Sequence, residues 1–261
     1  MGMAITVKRQ LWARRLTWLV VPLCFGAVGI ALIAAIGTGL GAWHFRIGLT
    51  ILRYAFFAAT GGALAALLAT LVARGGGRRL ILMNLIALTV ALGFVAFVGN
   101  QVRIARTVPA IHDVTTNLAD PPTFRQLVMR ADNLETVPAG GRADLEAVTA
   151  EERWRVMHRE YYRDLAPVRV PWAVAETIER ARSLAAAEGW EIALVDPAAG
   201  VLEATDTSLF FRFKDDVAVR VRPADGGGSI VDVRSISRVG VSDVGVNARR
   251  VRAFLADLQQ S

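Results

Sequence analysis

The sequence predicts an α+β fold: three transmembrane helices, followed by a two-layer domain built from a helix, a four-stranded antiparallel sheet and a final helix. Three observations lead to this fold class. The 261-residue chain is 54% hydrophobic and has a mean hydropathy of +0.40, which is high for a soluble protein. Its long apolar runs all lie within residues 1–100. Residues 166–261 show helical spacing at both ends and strand-like alternation between them.

Three apolar runs are long enough to cross a bilayer, whose hydrocarbon core needs about 20 helical residues. The predicted spans cover about residues 18–40, 49–73 and 80–100. The first run follows a basic tail, so a secretory signal is an alternative. Because the run is longer than the roughly 7–15 residues of a signal-peptide core, an uncleaved anchor is the preferred interpretation.

Two polar side chains within these runs need an explanation. Arg53 lies about one turn from the end of the second run, where it can reach the lipid headgroups; the alternative is an ion or proton pathway. Asn84 is polar within the third run and is expected to bond to a neighbouring helix rather than to a substrate. Glycine and alanine residues in the first two runs suit close contact between helices.

Basic residues in the loops predict the orientation. Four lie in the amino-terminal tail, three in the link 74–79 and one in the link 41–48. By the positive-inside rule, the tail and the second link are cytoplasmic, and everything after residue 100 is periplasmic or extracellular. Only two lysines accompany 28 arginines, which indicates a GC-rich genome. The predicted location is therefore a bacterial inner membrane.

The position of the charges argues against nucleic-acid binding despite a net charge of +7. Residues 1–100 contain nine basic and no acidic side chains, whereas residues 101–261 contain 21 basic and 23 acidic ones. The basic excess therefore belongs to the membrane half. The single cysteine, Cys24, excludes an intramolecular disulfide, and the three histidines show no ligand spacing. No metal and no cofactor is predicted.

Residues 101–165 are predicted to be a linker with a short helical segment. Its helix starts at the capping box Thr149–Glu152 and runs to about Arg163. His112 and Asp113 are adjacent, but neighbours on an extended chain point to opposite sides, so a catalytic dyad is not favoured. His158 lies among charged residues and is expected to be solvated.

Residues 166–261 form the predicted two-layer domain. A helix begins near Pro171 and ends at Gly189, and a last helix covers about 243–258. The predicted strands between them cover residues 190–196, 201–213, 217–222 and 230–238, and the second of them is expected to kink near Thr205–Ser208.

Alternation along these strands separates two sheet faces. One face is predicted to be core and collects Trp190, Ile192, Leu194, Leu209, Phe211, Phe213, Val217, Val219, Val221, Val231 and Val233. The opposite face is basic and collects Arg212, Lys214, Arg220, Arg222, Arg234 and Arg238, with Asp232 among them. Three interpretations remain open: residues 101–165 cover and neutralise this face, the face binds an anionic ligand or lipid headgroups, or it is a solvated edge.

The turn from the last strand into the last helix has a distinctive pattern, RS-x-SR-x-G-x-SD-x-G-x-NA-x-R. Its positions are Arg234, Ser235, Ser237, Arg238, Gly240, Ser242, Asp243, Gly245, Asn247, Ala248 and Arg250. Together with DTSLFFRFKDDVAVRVRP at 206–223 and IHDVTTNLADPPTF at 111–124, it resembles the domain-of-unknown-function family numbered 1499. The resemblance covers about residues 107–258. It implies an uncharacterised, often membrane-attached domain and transfers no catalytic residues.

The same turn is the candidate ligand site. A helix start offers free amides and a partial positive charge, and arginine can bind phosphate or carboxylate with two bonds. The candidate ligand-binding residues are Arg234, Ser235, Ser237, Arg238, Ser242, Asp243 and Asn247, and the basic face adds Arg212, Arg220 and Arg222. The alternative is a purely structural corner in which Ser242 or Asp243 caps the helix.

The sequence therefore predicts an integral membrane protein whose exported domain binds an anionic ligand, lipid headgroups or an envelope protein. The alternative is a hydrolase that uses Asp206, Asp243 or His112. Catalysis is less favoured because the sequence has no nucleophile elbow, no carboxylate pair at a defined spacing and no phosphate loop. No catalytic residue is assigned, and the oligomeric state is left open.

Overall fold

The structure is a computed structural model that describes residues 2–74 and 77–260. Three long helices come first: α1 (Gly2–Gly39), α2 (Phe45–Ala73) and α3 (Arg78–Ala105). Each of them is long and apolar enough to cross a membrane. The three predicted spans are confirmed as helices, and the helices continue beyond them. Residues 75 and 76, within the predicted basic link, lie outside the described residues.

Small side chains bring the membrane helices together. A Cβ atom on Gly62 of α2 would lie 3.0 Å from the Sγ of Cys24 on α1. At the end of α1, a Cβ on Gly37 would overlap the ring of Trp43, whose Nε1 donates a hydrogen bond to the Oγ1 of Thr38 at 3.1 Å. A small cluster of buried side chains completes this packing, as in many membrane proteins: Val20, Cys24, Ala63, Ala66, Ala69, Ala87 and Ala91.

The two polar side chains of the apolar runs differ in environment. Arg53 is exposed on α2 and lies over the ring of Tyr54, 5.4 Å from its centroid. Asn84 on α3 is fully buried, and neither its amide nitrogen nor its oxygen has a hydrogen-bond partner among the described residues. The interhelical hydrogen bond expected for Asn84 is therefore not formed.

The chain divides into two compact units. The first contains α1, α2, nearly all of α3 and the short segment Leu209–Arg212. The second contains the rest of the chain from Ile104 onward. This second unit has one antiparallel sheet and four helices.

The sheet has six strands instead of the four predicted. They are β1 (Asp113–Thr115), β2 (Val168–Val170), β3 (Glu191–Asp196), β4 (Val201–Thr207), β5 (Lys214–Pro223) and β6 (Ser229–Ser237). The strand order is β1-β6-β5-β4-β3, and β2 also pairs with β6. The two additional strands therefore share the outer edge of β6, where they satisfy backbone groups that would otherwise be unpaired.

Two helices cover one face of this sheet. They are α6 (Val174–Ala187), which packs on β3, β4 and β5, and α7 (Val246–Gln260), which packs on β6 and β1. The predicted core valines of β5 and β6 are buried beneath them: Val217, Val219, Val221, Val231 and Val233. The predicted two-layer α+β architecture is thus confirmed. It forms because the alternating valines create one apolar sheet face that the helices can bury.

Residues predicted to form a linker contribute to the folded domain. They supply β1 and two helices, α4 (Ala143–Glu146) and α5 (Ala150–Tyr161). Helix α5 begins at the predicted cap, where the Thr149 hydroxyl accepts a hydrogen bond from the backbone amide of Glu152 at 3.2 Å. Ile111 and Trp154 are buried in the core. The residues that follow β1 cross the second face of the sheet, where the fully buried carboxylate of Glu203 accepts the backbone amides of residues 125, 126 and 127.

One predicted strand is wrong at its end. The strand expected over 201–213 stops at Thr207, and residues 208–213 form the turn between β4 and β5. Arg212 adopts a positive φ of 55° there, which breaks the alternation. Leu209, predicted to be core, is consequently 79% exposed, and Arg212 leaves the basic face.

Candidate functional site

The signature residues fold into the corner between β6 and α7. Asn247, fully buried in the first turn of α7, is its centre. Its side-chain amide donates to the carbonyl of His112 at 2.9 Å and to the hydroxyl of Ser237 at 3.0 Å, and its oxygen accepts from the hydroxyl of Ser235 at 2.8 Å. Asn247 therefore joins α7 to β6 and to the segment that leads into β1.

The start of α7 already has an anionic partner. The carboxylate of Asp243 accepts the backbone amides of Gly245 at 2.8 Å and Asn247 at 2.6 Å, and the Ser242 hydroxyl accepts the amide of Val244 at 3.2 Å. Burial raises the pKa of Asp243, although these amide bonds oppose the shift. Amides that were predicted to bind an external anion are therefore occupied by this carboxylate.

Arg234 is part of a buried ion pair. Its Nε and Nη2 donate to the two carboxylate oxygens of Asp113 at 3.0 and 2.6 Å, and its Nη1 donates to the carbonyl of Pro122 at 3.2 Å. The Arg234 side chain is 7% exposed, and that of Asp113 is fully buried. The pair joins β6 to β1, and the bond to Pro122 joins β6 to the covering segment, residues 116–127. Arg234 therefore has structural partners at the position where a ligand was predicted.

Arg238 combines a fixed geometry with exposure. Its Nε and Nη2 donate to both carboxylate oxygens of Asp216 at 2.8 Å each, and Nη2 also reaches the Thr205 hydroxyl at 3.1 Å. Asp216 is buried, whereas the Arg238 side chain is 40% exposed. One edge of the guanidinium is held by the sheet, and the side chain still meets solvent.

Arg250 closes a second charged cluster, which the predicted site residues did not include. It donates to Asp206 at 3.0 and 2.6 Å, to Asp215 at 2.8 Å and to the Ser235 hydroxyl at 3.0 Å. The signature pattern contained Arg250, but its two acidic partners lie 44 and 35 residues away. Sequence spacing carries no signal for that pairing.

On the sheet face that α6 and α7 do not cover, two arginines share one carboxylate oxygen. Arg220 and Arg222 donate to Oδ2 of the fully buried Asp232 at 3.0 and 2.7 Å. Arg220 also pairs with Asp120 of the covering segment at 2.9 Å. Arg222 is bonded to Asp232 through its Nη2, and its side chain is 45% exposed. Residues 101–165 therefore supply acidic partners for Arg220 and Arg234, whereas Arg222 and Arg238 pair with carboxylates of the sheet itself and stay partly exposed.

The three residues considered for hydrolysis have separate structural partners. His112 bonds through Nε2 to the Asn133 side chain at 3.0 Å and through Nδ1 to the Val241 carbonyl at 3.3 Å. Asp206 pairs with Arg250, and Asp243 caps α7. No group of three or more histidine, cysteine or acidic side chains within residues 2–74 and 77–260 could hold a metal ion.

His158 was expected to be solvated, and that prediction is wrong. Its ring is buried between Trp154 and Tyr162, and its Nε2 accepts the backbone amide of Thr115 at 3.1 Å. Burial lowers the pKa of His158 to about 4, partly opposed by the negative charge of Asp113. His158 therefore stays neutral in the folded protein at physiological pH and holds β1 in place.

Comparison with known proteins agrees with the resemblance noted in the sequence. No curated protein matches the chain. The family described as "Protein of unknown function (DUF1499)" matches residues 113–258, which begin at β1 and end within α7. The matched region includes the buried pair of β1 and β6, the covering segment and the corner around Asn247. The chain therefore belongs to the DUF1499 family, joined here to three helices capable of crossing a membrane.

Proposed function

We propose that this protein is a membrane-anchored binding module of the bacterial cell envelope, and that its ligand is an anionic group recognised by Arg222. The observation that supports this proposal is the arrangement at Asp232. A buried carboxylate fixes two guanidinium groups, and one of them remains 45% exposed. A cation held in place before binding loses less conformational entropy when it meets a phosphate or carboxylate.

The proposed location follows from the loop charges. Four basic residues precede the apolar run that begins at residue 18, and Arg74, Arg78 and Arg79 lie between the second and third apolar runs. With three helices, this distribution favours an inner-membrane protein with its amino terminus in the cytoplasm and its α+β domain in the periplasm or outside the cell. Fusing a reporter that is active only outside the cytoplasm after residue 261 tests this orientation. An active reporter supports it, and an inactive but stable fusion contradicts it.

The binding proposal is tested with the full chain in nanodiscs of zwitterionic lipid. Two probes are added separately: inorganic phosphate, and vesicles with or without phosphatidylglycerol. We expect binding to weaken as the salt concentration rises, because binding through an exposed charge is screened by ions. We also expect Arg222→Gln to abolish the binding, because it removes that charge. The fold should survive this change, since Arg220 still neutralises Asp232.

The matched control is Arg182→Gln, which removes an exposed arginine of α6 that pairs with surface Glu179. It should bind as the wild type does. Binding of phosphate alone identifies a soluble anion, and binding of the acidic vesicles alone identifies lipid headgroups. Equal behaviour of Arg222→Gln and wild type with both probes would refute a role for Arg222.

A further inference from the structure

The turn between β4 and β5 exposes large apolar side chains that the folded domain does not bury. Leu209 is 79% exposed and Phe210 is 53% exposed. The turn also carries the basic residues Arg212 and Lys214. An apolar tip with adjacent cations has the composition of segments that enter a membrane interface, where apolar groups reach the acyl boundary and cations meet headgroups.

Strand register locates this tip relative to the rest of the sheet. Asp215 at the start of β5 lies opposite Ser237 at the end of β6, and Asp113 at the start of β1 lies opposite Ile236. The tip and the beginning of β1 therefore occupy the same end of the sheet. The loop after β6 is also at this end, and it exposes two more apolar side chains, Val239 and Val241.

The chain reaches this end of the sheet directly from the membrane helices. α3 ends at Ala105, and Ile111 is fully buried in the core of the domain. Six residues of extended chain span at most about 20 Å. The end of the sheet that carries the tip is thus joined to α3 by a short connection, residues 106–110, and Leu209–Arg212 belong to the same compact unit as the helices.

We propose that this end of the sheet docks onto the bilayer that the protein's own helices cross, with Leu209 and Phe210 inserted into the membrane interface. Val239 and Val241 extend the same apolar surface. This inference goes beyond the proposed function, because it concerns an apolar contact at the end of the sheet away from Arg222. Arg222 pairs with Ile230 near the opposite turn.

The test uses the full chain in nanodiscs, with Cys24→Ala to remove the native thiol. An environment-sensitive fluorophore is attached at Phe210→Cys, and a control fluorophore at Asp225→Cys in the exposed turn at the opposite end of the sheet. We expect the fluorophore at 210 to emit at shorter wavelength and to be quenched by nitroxide-labelled lipid. The fluorophore at 225 should be quenched only by aqueous iodide. Lipid quenching at 210 should persist in high salt, because apolar contacts are not screened.

A second variant separates insertion from simple proximity. Adding Leu209→Ser should reduce the ratio of docked to undocked protein by at least about tenfold, the change expected from losing burial of one leucine side chain. Equal iodide quenching at 210 and 225, with no lipid quenching at either, would overturn docking. Lipid quenching at 210 that disappears in high salt would also overturn it, since the contact would then involve only Arg212 and Lys214. Neither result depends on Arg222.

Discussion

Replacing Arg234 by methionine should destabilise the α+β domain strongly. The arginine donates two hydrogen bonds to the fully buried Asp113, and among residues 2–74 and 77–260 the only other side chain bonded to that carboxylate is Asn133, at 2.8 Å. Methionine fills much of the volume but leaves a buried negative charge without a cation. Removing one partner of a buried pair typically costs about 3–5 kcal/mol. For a domain of this size, that loss lowers the unfolding midpoint by roughly 6–20 °C.

The assay is thermal unfolding of the full chain in nanodiscs, followed by pulse proteolysis of the domain. The matched control is Arg182→Met, which breaks an exposed pair with Glu179 and should change stability by less than about 1 kcal/mol. The double variant Asp113→Asn with Arg234→Met should recover part of the loss, because no buried charge remains. If Arg234→Met is no less stable than Arg182→Met, the buried pair does not hold β1 to β6.

Three further predictions concern buried groups of the domain. His158 has a pKa of about 4 when folded and 6.5 when unfolded, so the unfolded chain binds the proton first as the pH falls. Between these two pH values the free energy of unfolding should therefore fall by up to about 1.4 kcal/mol per pH unit. In acid-titration unfolding, His158→Gln should show a smaller slope. Glu203→Ala should speed amide exchange of residues 125–127 at least about tenfold by hydrogen-exchange mass spectrometry, because three charge-assisted bonds are lost. Gly200→Ala should lower the free energy of unfolding far more than Gly140→Ala, which is expected to lower it by about 1 kcal/mol. Both glycines have a positive φ, but at Gly200 an added Cβ would also lie 2.1 Å from a backbone carbonyl oxygen of β5.

The membrane spans and the central strands were predictable from sequence because each carries a long local signal. A helix that crosses a bilayer needs about 20 apolar residues in a row, and no compact soluble element of this chain imitates that pattern. The valines of β5 and β6 alternate over several residues, which separates the core face from the basic face. Both signals depend on neighbouring residues alone.

The remaining parts of the fold depend on distant partners and were missed for that reason. β1 and β2 are three residues long, too short to show any period, and they exist because β6 offers an unpaired edge. The residues that follow β1 look irregular in sequence, yet Glu203 fixes three of their amides from about 76 residues away. At the tip, the apolar alternation continues through Leu209 although the strand ends at Thr207, because solvent-exposed and buried leucines look the same in a sequence.

The candidate site shows how a family signature can be recognised without identifying a reaction. Its polar residues were recognisable because they recur at fixed spacing over one strand and one helix. In the structure, Asn247, Arg234 and Arg250 each bond to groups that fix β6 against its neighbours. These positions are restricted in residue type by the geometry of the corner, since only a short amide or a forked guanidinium makes these bonds. Arg222 and Phe210, the exposed side chains on which the two proposals rest, lie at opposite ends of the sheet.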